Sequence, residues 1–136
     1  MPFVVDASIA ACWLLPDEAD ARADTAYDRL DDDRAVAPGL WWFEIRNLLI
    51  TSERRGRLDA AATRHALELL TGFAVAIDNA CDETMLLGLA RKHRLSVYDA
   101  AYLELALRER IPLATLDKQL AAAAMAERVT LVGATP

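Results

Sequence analysis

The feature that most constrains this chain is a short apolar run that ends on a carboxylate and appears twice, far apart. Phe3-Val4-Val5 leads into Asp6, and Leu113-Ala114-Thr115-Leu116 leads into Asp117. Uncharged, β-prone residues in so short a run read as a strand buried on both faces. A helical pattern follows each run, so the chain is expected to turn back over the sheet with an aspartate at the strand's carboxyl end. In open parallel α/β sheets that edge is where ligands bind, because strand-to-helix loops and helix N-termini converge there. If both strands are parallel, Asp6 and Asp117 are neighbours across it.

The intervening segments fit the same plan. Residues 9–15 read as a short helix ended by Pro16. Residues 17–30 read as an acidic helix with Ala21, Ala26 and Leu30 inward, and Asp31-Asp32-Asp33 as a turn. A second strand over 34–37 is broken by Pro38-Gly39, and a helix over 41–54 follows. Asp59 caps another helix to Leu70, with Gly72 stopping it. Residues 73–77 form a third apolar run. Helices are expected over 82–93, 98–110 and 117–127, a strand over 111–116, and an edge strand over 129–132 that closes the sheet. The expected fold class is α/β: a mostly parallel β-sheet of about five short strands flanked by helices on both faces, in a single domain over 1–136. With 136 residues and 54% hydrophobic composition, such a domain buries roughly two-thirds of its unfolded surface.

Composition removes several classes of function. No apolar run approaches the ~20 residues of a membrane span, and no charged segment followed by an apolar signal opens the chain, so a soluble, cytoplasmic protein without a membrane partner is expected. Cys12 and Cys81 show no metal or redox spacing and read as reduced core residues. His65 and His93 have no acid-plus-nucleophile company, and there is no glycine-rich phosphate loop. Trp13, Trp41 and Trp42 read as core or interface residues. The net charge of −6 argues against a polyanionic ligand until its distribution is considered. Residues 17–33 hold eight acids against Arg22 and Arg29, so that segment carries the whole excess. Bound cations at a few of the other acids would leave a net positive surface.

Two more carboxylates stand out. Glu44 lies at the margin of the apolar stripe made by Trp41, Ile45, Leu48 and Leu49, one helical turn from Trp41 and Leu48. A carboxylate beside a core face costs free energy unless it is paired or holds a cation. Asp99 falls in the capping-box pattern Ser96-Val97-Tyr98-Asp99, yet it projects along the stripe of Leu103, Ala106 and Leu107 that should face the sheet. Capping explains each aspartate separately and does not predict convergence with Glu44. Carboxylates packed together stay ionised when a divalent cation offsets their repulsion, and an all-oxygen set suits Mg²⁺ or Mn²⁺. Such sites hydrolyse phosphodiesters.

The order Val4-Val5-Asp6-Ala7-Ser8, Trp42-Phe43-Glu44-Ile45-Arg46-Asn47, Ser96-Val97-Tyr98-Asp99-Ala100-Ala101-Tyr102 and Leu113-Ala114-Thr115-Leu116-Asp117 resembles the PIN domain, and in length the VapC toxins of toxin–antitoxin pairs. The resemblance implies a Mg²⁺-dependent endoribonuclease, with Mn²⁺ as a substitute ion. Its catalytic and metal-binding residues would be Asp6, Glu44, Asp99 and Asp117, with Asp6 and Asp99 the direct ligands. Ser8, Asn47 and Thr115 match positions that support the acids or the substrate phosphate. The resemblance further implies a 5′-phosphate and a 3′-hydroxyl as products, homodimerisation, and inhibition by a cognate antitoxin covering the acidic groove. Arg46, Arg54, Arg55, Arg57, Arg91, Lys92 and Arg94 are candidates to hold RNA phosphates.

Two rival classes share part of the pattern. A phosphatase with an aspartyl nucleophile also places Asp after the first strand, but it wants a second Asp two residues on, where this chain has Ser8. A catalytically silent binding module would use the aspartates only as caps.

Overall fold

The structure is a computed structural model and describes residues 1–133. Strand β1 (Phe3–Val5) is buried along its whole length, as an uncharged run with no solvent face requires. Asp6 ends it by capping α1 (Ala7–Leu14), its side chain accepting from the Ile9 N–H. Helix α2 (Ala21–Arg29), strand β2 (Ala35–Pro38) and the long α3 (Leu40–Arg54) follow. Next come α4 (Ala60–Gly72), β3 (Ala76–Asp78), α5 (Glu83–His93), α6 (Val97–Glu109), β4 (Leu113–Ala114) and α7 (Lys118–Ala126). Side-chain caps come from Asp20, Asp59, Asp82, Ser96 and Asp117, each accepting from a backbone N–H in the first turn.

The sheet runs β3-β2-β1-β4 with every pairing parallel. The chain moves outward from β1 to β2 to β3, then crosses back to the other side of β1 for β4. Right-handed crossovers then send the connections after β1 and those around β4 to opposite faces, so the strand order reverses between β1 and β4. In open α/β sheets such a switch point, at the carboxyl ends of the strands, is where ligands bind. Helix α6 packs on β1 and β2 with α5 and α7 against it, while α1 packs with α2, α3 and α4. The core is continuous and holds Phe3, Ile9, Ile45, Leu49, Leu103, Leu113 and Leu120 among its fully buried side chains.

Three expectations need correction. The helix expected over 17–30 starts at Ala21, because Asp20 spends its carboxylate on the Arg22 N–H, and the inward residues are Ala23 and Ala26 while Ala21 is exposed. The apolar run over 73–77 does not form a strand along its length. Phe73 closes α4 and packs edge-to-face on Trp13 and Tyr27, and β3 begins only at Ala76 after Ala74 turns with φ 51°. Among the described residues the sheet has four strands, not five. The segment 129–132 touches β4 through a single bridge, Leu113 with Leu131. The ladder stops there because the Ile111 N–H is already spent on Ala106 O at the end of α6, and Gly133, at φ 76°, turns the chain away.

Gly39 starts α3 against the loop after β3. A Cβ at that position would lie 2.2 Å from Asn79 Oδ1, so the Asn79 side chain would have to turn aside to admit one.

Candidate functional site

The register of β1 and β4 builds the first part of the site. Val5 pairs with Ala114, so the next residues, Asp6 and Thr115, arrive side by side at the carboxyl edge. Both are buried, each 5% exposed. Thr115 Oγ1 donates to Asp6 Oδ2, and Ser8 Oγ donates to Asp6 Oδ1 at 2.6 Å. The two hydroxyls accept in turn, Ser8 Oγ from the Leu116 N–H at 2.8 Å and Thr115 Oγ1 from the Asp117 N–H at 3.0 Å. These bonds clasp the start of α1 to the start of α7. Ser8 and Thr115, expected as supporting residues, therefore contact the acid directly. Asp117 caps α7 through Leu120 N at 2.8 Å and remains exposed.

Glu44 and Asp99 come from opposite groups of helices. Glu44 is half-buried on α3, and its Oε1 accepts from the Tyr102 hydroxyl at 2.5 Å. Asp99 stands in the first turn of α6, where its N–H donates to Ser96 Oγ at 3.0 Å. Of the stripe expected behind it, Leu103 and Ala106 are buried and Leu107 is partly so. Asn47 is exposed one turn along α3 from Glu44, and both line an open groove of about 400 Å³ with Thr51, Ser52 and Arg55.

The acids feel one another. Burial pushes the Asp6 carboxyl above its ordinary range, against the lowering effect of the Ser8 and Thr115 hydroxyls and the Ile9 N–H, and the negative charge of Asp117 adds to the rise. Burial likewise raises Glu44, opposed by the Tyr102 hydroxyl and reinforced by Asp99 and Asp6. Asp99 is raised by burial and then by Asp117. Asp6, Glu44 and Asp99 form no ion pair with an arginine, lysine or histidine among the described residues. Among the described residues no three acidic, histidine or cysteine side chains are drawn tightly enough together to form a ready-made cage for an ion. The chemistry of the donors nevertheless fits a hard divalent cation: anionic oxygens only, with hydroxyls bracing those of Asp6 and Glu44.

The candidate RNA-binding bases divide into three groups. Arg57 is committed to Asp17 at 2.7 Å and Glu18 at 3.1 Å, tying the α3–α4 loop to the segment before α2, and Lys92 is paired with Glu127 at 2.7 Å. Arg46 lies over the Trp42 ring, 3.8 Å from its centroid, and donates to Trp42 O. Arg54, Arg55, Arg91 and Arg94 are exposed, with no side-chain ion pair among the described residues. Arg55 lies on the Glu44 groove, and Arg94 sits in the turn between α5 and α6, at whose far end Ser96 caps the helix that carries Asp99. Tyr102 escaped the sequence reading as a site residue. Its signal was present, a polar tip three residues after Asp99 on the same helical face, but an aromatic at helical spacing reads as core packing.

A parallel α/β sheet whose strand order reverses between two strands that each lead into an aspartate-capped helix defines a class of protein that binds its ligand at the sheet edge. Comparison with known proteins places the chain within that class. The sequence matches the PIN domain over residues 3–125, and it is 36% identical over 124 residues to Ribonuclease VapC3 of Pyrobaculum aerophilum, covering 89% of this chain and 93% of that protein. The chain belongs to the PIN-domain family, a family of nucleases. Among solved structures it is similar to PAE2754 of the same organism, with a TM-score of 0.70 and 29% identity over 97% of this chain and 84% of that one. It shares its fold with a chain of a toxin–antitoxin complex from Klebsiella pneumoniae, with a TM-score of 0.58 and 18% identity over 87% and 89% of the two chains.

Proposed function

We propose that this protein is a Mg²⁺-dependent endoribonuclease, with Mn²⁺ able to substitute, and the toxin of a toxin–antitoxin pair. What supports the proposal is that Asp6 and Asp117 cap the helices after two adjacent parallel strands, that Asp99 stands in the first turn of α6, and that Glu44 on α3 is bound by Tyr102 of the same α6, while Asp6, Glu44 and Asp99 form no ion pair among the described residues. Asp6 and Asp99 would hold the cation, with Glu44 and Asp117 completing its surroundings. When bound, such an ion supplies an activated water and charge stabilisation at the phosphate.

The chain's own residues do the positioning. Ser8 and Thr115 fix both oxygens of Asp6, and the bonds they accept from Leu116 and Asp117 lock β1 to β4 beneath the site. Asn47 offers an amide on the groove beside Glu44, and Arg55 a guanidinium further along it, both suited to an RNA backbone. Arg57 and Lys92 are already paired and contribute less to such binding. The proposed partners are an RNA substrate, a second copy of the chain and an antitoxin that covers the acidic edge, and the proposed location is the cytoplasm. No helix among the described residues is long and apolar enough to cross a membrane.

The test is purified protein incubated with structured RNAs, with Mg²⁺ and with EDTA, alongside Asp6→Asn and Asp99→Asn. Internal cleavage that requires Mg²⁺ and is lost in both variants is expected. Cleavage that survives EDTA, or full activity in both variants, overturns the proposal.

A further inference from the structure

Glu44 reaches the sheet edge on a long, flexible side chain, which is a poor way to present a ligand oxygen unless something holds it. Glutamate is among the side chains with most rotamer freedom to lose. The Tyr102 hydroxyl is what holds it, donating to Oε1 at 2.5 Å from a ring that is 1% exposed. The ring is fixed by the core beneath α6, so the hydroxyl is a rigid point fifty-eight residues away in sequence from the acid it meets. Packing does not require the oxygen, because phenylalanine fills the same volume. Glu44 is also the hydroxyl's one protein acceptor among the described residues.

We propose that Tyr102 is a positioning residue that, by donating to Glu44 Oε1, holds the Glu44 carboxylate in the orientation in which it would help Asp6 and Asp99 bind a divalent cation. The inference rests on the nuclease reading above and adds to it the device that fixes Glu44's orientation. A carboxylate already held in one orientation loses less rotamer freedom when an ion binds. The placement follows from helix geometry: Asp99 and Tyr102, three apart on α6, share a face, so the element that supplies one acid also braces the acid arriving from α3.

The experiment is calorimetric titration of the substrate-free protein with Mn²⁺, on the wild type, Tyr102→Phe, Glu44→Gln and the double variant, with melting in EDTA to confirm that each is folded. Tyr102→Phe is expected to weaken Mn²⁺ binding roughly tenfold or more, as losing a ligand's hydrogen-bond partner does. The double variant should bind no more weakly than Glu44→Gln alone, since the hydroxyl acts only through that acid. In RNA cleavage Tyr102→Phe should lower kcat with KM little changed. Wild-type Mn²⁺ affinity in Tyr102→Phe, with Glu44→Gln weakened, overturns the role of Tyr102 and leaves the site intact. Independent, additive losses in the double variant overturn it as well. Wild-type affinity in Glu44→Gln removes Glu44 from the site and overturns the role of Tyr102, whereas absence of Mn²⁺ binding in the wild type overturns the nuclease reading as well.

Discussion

Replacing Thr115 by valine isolates the clasp under the acidic edge. Valine keeps the shape of threonine, so no cavity opens, and only the hydroxyl is lost. That hydroxyl donates to Asp6 Oδ2 and accepts from the Asp117 N–H, and both Thr115 and Asp6 are 5% exposed. A buried hydrogen bond to a charged group contributes about 1.5–3 kcal/mol, and an orphaned backbone N–H costs about 1 kcal/mol more where water cannot reach it. The N–H belongs to exposed Asp117, so solvent recovers part of the second contribution. The expected loss at neutral pH is therefore about 2–3 kcal/mol, a fall in Tm of roughly 6–12 °C for a domain of this size. The assay is thermal and urea denaturation in EDTA, with Thr115→Ser as control. Serine keeps the hydroxyl and loses one methyl, for about 1 kcal/mol. The penalty of the valine variant should shrink in acid, where Asp6 is protonated and the bond is no longer charge-assisted. A valine variant as stable as the wild type, with the serine variant destabilised, would refute the reasoning, because the methyl and not the hydroxyl would then hold the strands' ends together.

Three further outcomes follow from the same geometry. The Asp6, Glu44 and Asp99 carboxyls are raised in the folded state, chiefly by burial, so between the ordinary carboxylate range and their raised values the folded chain binds more protons than the unfolded one. Stability from these groups therefore falls as pH rises through that window. In EDTA the stability of the wild type minus that of the variant carrying Asp6→Asn, Glu44→Gln and Asp99→Asn should decline with pH, Mg²⁺ should reverse the decline at neutral pH, and a flat difference would contradict it. Glu104 is 1% exposed and bound by Arg108 Nε at 2.9 Å, and the same guanidinium reaches Asp78 and Ala80 O. Arg108→Met should cost about 3 kcal/mol by urea denaturation, and adding Glu104→Leu should recover most of it, since the cost is an unpaired buried charge. Gly39→Ala should change Tm by no more than roughly 2 °C, because its Cβ meets only the tip of the Asn79 side chain, which can turn aside; a fall of several degrees, relieved by Asn79→Ala in the same chain, would show that the Asn79 side chain is held in place.

Much of the fold was legible because its signals are local. An uncharged apolar run needs no partner to declare itself a buried strand, and an aspartate before a helical pattern is a cap wherever it lies. All six side-chain-capped helices among the described residues begin on Asp or Ser. The boundaries that failed were settled by competition between distant groups. The acidic helix starts late because Asp20 caps it, while Asp17 and Glu18 are drawn to Arg57. The fifth strand shrinks to a bridge because the Ile111 N–H closes α6 instead of pairing. Arg57 and Lys92 read as free basic residues until the fold gave each an acidic partner.

The sequence by itself determined the parallel α/β plan and the positions of the four acids at the starts of helices or the margin of one, because hydrophobic periodicity and capping act over a few residues. Only the tertiary structure decided that β4 lies beside β1, which sets Thr115 against Asp6, and that Tyr102 reaches across to Glu44. Those contacts depend on strand order and helix packing over long stretches of chain. A linear pattern carries no distance between residues so far apart, and hydrogen bonds are made at distances.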